Sequence, residues 1–256
     1  MRRSLFSLLF AVVVAYLSVS GDVAQSARLT PPAKQTDYFL GYFDTLALTA
    51  DYGPFNRRPA WIRKWTGPVK VVLEPGAQHL RAEVEKTFAR ISKWTGLPFR
   101  VVSGHSSGPV QKISAGNLIR IKVIETADSA RQFLAEDIVC QTETHGIGGA
   151  LHTAFVILSR SYSDCLKHEV MHVLGFDSHW RPSEKTRIRS VLAMRESPLR
   201  AGDYTKWDVM AIRLLYNQRM NPGLPRQEGL ELARELIAGG VQRASLPPKG
   251  GDGPVR

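Results

Sequence analysis

Two histidines and a glutamate near the middle of the chain have the spacing of a hydrolytic metal site. His168 and His172 are four residues apart, so on a helix they lie one turn apart on nearly the same face. Two imidazoles placed in this way can bind one Zn²⁺ at about 2.0 Å. Glu169 points about 100° around the helix, so it is not a third ligand but can accept a proton from an activated water. The H-E-x-x-H spacing therefore predicts a zinc-dependent hydrolase with Glu169 as general base.

The flanking residues predict the helix that this spacing requires. Residues 164–174 have apolar residues at helical spacing, and Ser161 or Ser163 is available as the N-cap. Gly175 is suited to end the helix in a left-handed conformation. We therefore expect His168 and His172 on one face of a capped helix.

The run from His168 to Gly175, followed by His179, resembles the metzincin-type zinc metallopeptidases. The resemblance extends to the order of the preceding elements and to residues 190–194. It implies that the glycine lets the chain reverse and deliver a third ligand, and that a turn containing methionine lies beneath the metal. It also implies that the strand before the zinc helix, here residues 150–158, is an edge strand that holds an extended substrate.

At two positions this chain departs from the family pattern. The family's third ligand falls on Ser178, one residue before His179, and its methionine aligns with Leu192, two residues before Met194. A serine hydroxyl is a poor zinc ligand, so we predict His179 as the third ligand in preference to Asp177. We assign Asp177 as a candidate partner for an imidazole N–H. Leu192 and Met194 are the candidates for the residue that packs beneath the metal.

A second resemblance is to a group of uncharacterised exported bacterial domains. It rests on residues 63–69, Cys165–Leu166 and residues 208–216, and it covers roughly residues 36–235. Many of those relatives carry Glu-Glu and Gln where this chain has His-Glu and His. Their fold forms without the zinc motif, so the fold alone does not imply catalytic activity.

The N-terminus indicates export. Two arginines precede a short apolar run over residues 5–17, and small residues then offer cleavage sites after Ser20 or Ser26. The run is too short for a stable transmembrane helix. We therefore predict a signal peptide over residues 1–26 and a mature protein that is periplasmic or secreted.

The chain has two cysteines, Cys140 and Cys165. In an oxidising compartment such a pair usually closes as a disulfide, and it lacks the C-x-x-C spacing of a strong metal site. Since Cys165 precedes His168 by three residues, a bridge would hold the start of the zinc helix.

The charge of the chain predicts at most loose binding to anionic surfaces of the cell envelope. Its net charge is +11, which falls to +10 when the predicted signal peptide is removed. Lysines and arginines are scattered rather than clustered with aromatics, so we predict no binding to nucleic acid. The chain contains no G-x-S-x-G or phosphate-binding loop, which argues against a serine hydrolase or a nucleotide-binding protein.

The hydrophobic pattern predicts one α+β domain of metzincin-like fold. We expect a twisted mixed sheet with helices in the N-terminal half, the zinc-binding helix in the middle, and a C-terminal half rich in loops and helices. Strands are predicted over residues 69–73, 99–102, 118–124 and 150–158. Helices are predicted over residues 37–50, 79–95, 164–174, 205–216 and 226–238, with a further helical turn over 127–135. The segment around Cys140 is expected to be a loop.

The domain organisation follows from these elements. Residues 27–60 are predicted to form an N-terminal helix and brace, residues 61–243 the metallopeptidase-like domain, and residues 244–256 a disordered tail. His145, in a Gly-rich loop, and His152, on the predicted edge strand, are weaker candidates for residues that line the cleft.

Our functional prediction is a Zn²⁺-dependent hydrolase of peptide bonds that acts on a protein or peptide substrate outside the cytoplasmic membrane. One alternative is a hydrolase of a cell-wall amide that uses the same zinc site. The other is a non-catalytic exported binding domain in which the zinc is structural.

Overall fold

The structure is a computed structural model that describes residues 33–49, 61–104, 116–124, 140–159, 165–181, 188–194, 197 and 200–239. The predicted signal peptide, the helical turn over 127–135 and the predicted tail lie outside the described residues. The helices are α1 (Ala33–Phe43), α2 (Arg81–Thr95), α3 (Cys165–Val173), α4 (Lys206–Leu215) and α5 (Arg226–Ala238). The strands are β1 (Val69–Leu73), β2 (Phe99–Ser103), β3 (Asn117–Ile124), β4 (Cys140–Ile147) and β5 (Ala150–Ser159).

The five strands form one mixed sheet in the order β2-β1-β3-β5-β4. The first four strands in this order are parallel, and β4 runs antiparallel to β5. This arrangement confirms the predicted α+β class with a mixed sheet. Buried residues such as Val71, Ile119 and Val156 share the main hydrophobic core with Phe88 of α2 and Val170 of α3.

Most predicted elements are present with ends that differ by a few residues. Helix α1 begins earlier than expected and continues as a π-helical turn over Asp44–Leu48. Residues Pro75–Leu80, part of which was expected in α2, form a 3₁₀ turn that starts at a proline. Helix α4 is preceded by Thr205, whose side chain accepts hydrogen bonds from the main-chain N–H groups of Trp207 and Asp208.

The segment around Cys140 is a strand, and the prediction of a loop there was wrong. Residues Cys140–Ile147 pair with β5, and Gly148 and Gly149 make the turn between the two strands with φ values of 57° and 84°. Two consecutive positive φ values are typical of the turn that suits a two-residue hairpin. The assignment of residues 150–158 as the edge strand was also wrong, because β5 lies between β3 and β4.

The basic segment before β1 is a buried brace. The main-chain N–H of Lys64 donates to Gly149 and its carbonyl accepts from Leu151, so the segment follows the start of β5. The Lys64 ammonium donates to the carbonyls of Leu215 and Asn217 at 3.2 and 3.1 Å, at the C-terminal end of α4. Burial lowers the pKa of Lys64 to about 8.

A disulfide joins Cys140 to Cys165, as predicted. It ties the first residue of β4 to the first residue of α3. The bond indicates an oxidising, extracytoplasmic environment. Within the described residues, no helix has the length and apolar character needed to cross a membrane.

We expect thiol titration of the unfolded, unreduced protein to find no free thiol. Replacing both cysteines with serine is expected to lower the free energy of unfolding by about 3 to 4 kcal/mol, since the bridge closes a loop of this length in the unfolded chain. Chemical denaturation of the mature protein and the double variant measures this difference. Two titratable thiols in the unreduced protein would contradict the bridge.

Candidate metal centre

Three imidazoles converge at the end of α3. The Nε2 atom of His168 lies 3.2 Å from Nε2 of His172 and 3.1 Å from Nε2 of His179. The three side chains can together hold a metal ion, and all are buried or half-buried. The structure thus brings together the three histidines that the sequence singled out.

The proton on two of these rings is fixed by main-chain carbonyls. Nδ1 of His168 lies 2.7 Å from the carbonyl oxygen of Val191, and Nδ1 of His172 lies 2.6 Å from that of Phe176. A carbonyl oxygen only accepts, so each Nδ1 carries the hydrogen and each neutral ring turns its Nε2 lone pair towards the other. Neither ring can then donate a hydrogen bond to the other, so the two lone pairs repel one another. A cation bound by both Nε2 atoms would make their close approach favourable.

The neutral rings are favoured by their surroundings. Burial lowers the pKa of His168 to about 4 and lowers that of His172 well below its ordinary value, with the neighbouring histidines adding to the second effect. Tetrahedral zinc at about 2.0 to 2.1 Å from each nitrogen separates its ligand nitrogens by about 3.3 Å. The observed 3.1 and 3.2 Å separations are close to this distance, so the residues fit zinc.

Glu169 lies on α3 between the two histidines and is 4% exposed. Burial raises the pKa of its carboxyl group to about 7, against the smaller opposing effects of the Thr142 hydroxyl and the Arg200 guanidinium. The Thr142 hydroxyl also donates to the main-chain carbonyl of Glu169 at 3.2 Å, which links the helix to strand β4. The turn of α3 that carries this carboxyl group is therefore fixed to β4.

The C-terminal end of α3 is fixed by two aromatic side chains. The Trp65 indole N–H donates to the carbonyl of Val173 at 2.8 Å, and the Tyr216 hydroxyl donates to that of Leu174 at 3.0 Å. Carbonyls at a helix end need such partners because no further turn supplies them. These contacts hold the last turn of the helix, which carries His172.

Gly175 allows the chain to reverse after α3. Its φ is 105°, and a Cβ at this position would lie 2.0 Å from the carbonyl oxygen of Arg63. We expect Gly175→Ala to lower the free energy of unfolding by at least about 3 kcal/mol, through backbone strain and the clash. In a chain of this size that loss lowers Tm by about 6 to 12 °C.

The control for this prediction is Gly41→Ala. Gly41 is exposed in α1 and has open space where the Cβ would lie, so alanine there should raise stability by about 0.5 to 1 kcal/mol. Calorimetry of both variants and of the unsubstituted protein measures these two changes in stability. Equal stability of Gly175→Ala and the unsubstituted protein would contradict the role assigned to this glycine.

The loop that carries His179 pairs with the segment over residues 190–194. The main-chain N–H of Trp180 donates to the carbonyl of Leu192 at 2.8 Å, and that of Met194 donates to Trp180 at 3.4 Å. Leu192 is fully buried, whereas Met194 is half-buried. This segment, which aligns with the methionine turn of the metzincins, contacts the histidine cluster through its main chain. The contact is between the carbonyl of Val191 and Nδ1 of His168.

Asp177 is bound by Arg63, which lies in the segment before β1. Arg63 Nη1 lies 2.7 Å from both carboxylate oxygens of Asp177, and Nη2 donates to the hydroxyl and carbonyl of Thr144 at 2.7 and 3.2 Å. The ion pair is largely buried and links the ligand loop to β4. No spacing pattern in the sequence indicates it, because Arg63 and Asp177 are 114 residues apart.

The two weaker histidine candidates lie outside the cluster. His145 is exposed on β4, where its Nε2 lies 3.1 Å from the carboxylate of Glu143, and His152 is exposed on β5. Both therefore belong to the surface of the sheet.

The comparisons with known proteins identify a family but no function. No curated protein and no solved structure matches the chain. A family model described as a protein of unknown function (DUF2927) matches residues 36–234, close to the span of the resemblance to uncharacterised exported domains. Since this match covers well over half of the chain, the protein belongs to the DUF2927 family.

Proposed function

We propose that this protein is a zinc-dependent hydrolase of peptide bonds that acts outside the cytoplasmic membrane. One observation carries the proposal: three imidazole Nε2 atoms converge, and in His168 and His172 the other ring nitrogen is committed to a main-chain carbonyl. Three histidine ligands leave a fourth position of tetrahedral zinc for water or substrate, as in catalytic zinc sites. The resemblance of residues 168–179 to the metzincin-type zinc metallopeptidases supports the same function.

Glu169 is the proposed general base. Zinc, when bound, lowers the pKa of water and polarises a carbonyl oxygen. The Glu169 carboxylate accepts a proton from the attacking water and delivers it to the leaving amine nitrogen. Glu169 is adjacent to His168 on α3, and its main-chain carbonyl accepts a hydrogen bond from Thr142 of β4, which supports this role.

Strand β4 is the proposed substrate contact. It is the last strand of the sheet in the described part of the chain, so its outer main-chain groups can pair with an extended peptide. Its side chains Thr142 and Thr144 contact Glu169 and Arg63 on the side of the metal site. A peptide paired with β4 would therefore lie beside the proposed base.

The predicted signal peptide and the disulfide support a periplasmic or secreted location. The net positive charge supports at most loose association with anionic surfaces of the envelope.

Metal analysis and hydrolysis assays of the mature chain, residues 27–256, test the proposal. We expect about one zinc per chain, and less in His172→Ala, which loses one imidazole ligand. The zinc-loaded protein should hydrolyse a fluorescently labelled unfolded protein, and a chelator should stop the reaction until zinc is restored. Cleavage of purified wall peptides but not of proteins would favour a cell-wall amide hydrolase. Bound zinc without hydrolysis of either substrate would favour a non-catalytic binding domain.

A further inference from the structure

The N-terminal helix contacts the loop that carries His179. Ser178, the residue before it, is 1% exposed, and its main-chain N–H donates to the carbonyl of Leu46 at 3.4 Å. Its hydroxyl donates to the carbonyl of Thr49. Both acceptors belong to the π-helical extension of α1 or to the residue after it. Ser178 is thereby turned away from the metal site, and the next side chain is the imidazole of His179.

A second contact from α1 reaches Ser190 and Asp208. The Tyr42 hydroxyl lies 2.8 Å from the Asp208 carboxylate and 2.8 Å from the Ser190 hydroxyl, which itself donates to Asp208 at 2.7 Å. The Thr205 N–H and hydroxyl donate to the other carboxylate oxygen at 2.7 Å. Ser190 and Asp208 are fully buried, so these groups depend on one another for hydrogen bonds.

This buried network holds the turn that orients His168. The Ser190 hydroxyl oxygen accepts from the main-chain N–H of Leu192 at 2.9 Å, which fixes the peptide after Val191. The carbonyl of Val191 in turn accepts from Nδ1 of His168. Tyr42 is therefore connected to a metal-site histidine through Ser190 and one turn of main chain.

Helix α1 is itself anchored to the C-terminal helices. Asp44 receives two hydrogen bonds from Arg226 at the start of α5, at 2.7 and 2.6 Å. The ring of Phe39 stacks on Trp207 of α4 with centroids 5.8 Å apart, and Tyr42 meets Trp180 edge to face at 5.1 Å. The helix thus has a fixed position from which to hold the ligand loop.

We propose that α1 is a positioning element of the metal centre, acting on His179 through Ser178 and on His168 through Tyr42. The inference rests on the proposed function only in requiring that the three histidines bind zinc. Residues 36–49 were predicted to lie outside the metallopeptidase-like domain. The inference makes them part of the same functional unit as the three histidines.

Zinc affinities of Ser178→Ala and Tyr42→Phe test the proposal. Loss of a group that orients a metal ligand typically weakens binding by about 10- to 100-fold, and we expect this for each variant by competition with a chromophoric chelator. The visible absorption spectrum of the cobalt-substituted protein should also change, since it reports the geometry of the ligands. Two variants on separate contacts keep the test valid if one fails to fold.

Two control variants separate positioning from a purely structural role. Tyr204→Phe removes a buried tyrosine hydroxyl that has no hydrogen-bond partner among the residues that the structure describes. Thr95→Val removes a buried hydroxyl bonded to Ile91 and Leu97, away from the ligand loop. Both should leave the zinc affinity and the cobalt spectrum unchanged, while Thr95→Val lowers the stability of the metal-free chain.

The outcomes distinguish this inference from the proposed function. If the unsubstituted protein binds no zinc, both are overturned. If it binds zinc, and Ser178→Ala and Tyr42→Phe bind it as tightly, α1 has only a structural role and this inference alone is wrong.

Discussion

Glu169→Gln is expected to abolish hydrolysis while leaving zinc bound. The substitution keeps the size and hydrogen-bonding oxygen of the side chain but removes its ability to accept a proton, and general bases contribute about 10²- to 10⁴-fold to rates. Zinc content should not change, because the three Nε2 atoms that converge belong to His168, His172 and His179. Metal analysis and the cleavage assay on the same preparation measure both quantities.

Glu228→Gln is the matched control for this prediction, since Glu228 is exposed in the first turn of α5. It should retain full activity and full zinc content. Loss of zinc in Glu169→Gln would show that Glu169 is not placed as a base alone. Full activity in Glu169→Gln would show that the site is not catalytic.

His179→Ala is expected to weaken zinc binding far more than Asp177→Ala. Apparent binding energies of structural zinc sites, divided over four ligands, give about 2.5 to 4 kcal/mol per ligand, or roughly 70- to 900-fold in affinity. His179 presents its Nε2 to His168 at 3.1 Å, whereas the Asp177 carboxylate binds Arg63. Chelator competition on both variants compares the two affinities.

Asp177→Ala should instead lower the stability of the fold. Its partner Arg63 is only 10% exposed, and a buried ion pair that loses one member typically costs 3 to 5 kcal/mol, as an order of magnitude. Asp177→Asn, which keeps one oxygen acceptor for Arg63, provides a milder variant if alanine prevents folding. Tighter zinc binding by His179→Ala than by either Asp177 variant would overturn the assignment of the third ligand.

Helix α3 was predictable because all its determinants are local. The spacing of His168 and His172 and the glycine at position 175 lie within one short segment, and the observed helix differs from the predicted one by one residue at each end. The choice of His179 over Ser178 was predictable from the chemistry of the side chains, and it stays a prediction until metal is measured. The path of the loop was not predictable, because Ser178 is held by Leu46 and Thr49, far away in the sequence.

Strand β4 was missed for a different reason. Its sequence alternates Thr142 and Thr144 with the polar Gln141 and Glu143, so it has no apolar face by which to recognise a strand. The turn signal was present, since Gly148–Gly149 joins it to the strongly apolar β5. An edge strand exposes much of its surface, and its hydrophobic pattern is correspondingly weak.

The disulfide between β4 and α3 ties the helix that carries His168 and His172 to the redox state of the surrounding compartment. Thiols in the cytosol are kept reduced, so the bond between Cys140 and Cys165 forms only in an oxidising compartment. If the chain is exported as predicted, its precursor crosses the membrane with β4 and α3 not yet linked. In that case the bridge forms after arrival outside the cytoplasm, before any partner or substrate is involved.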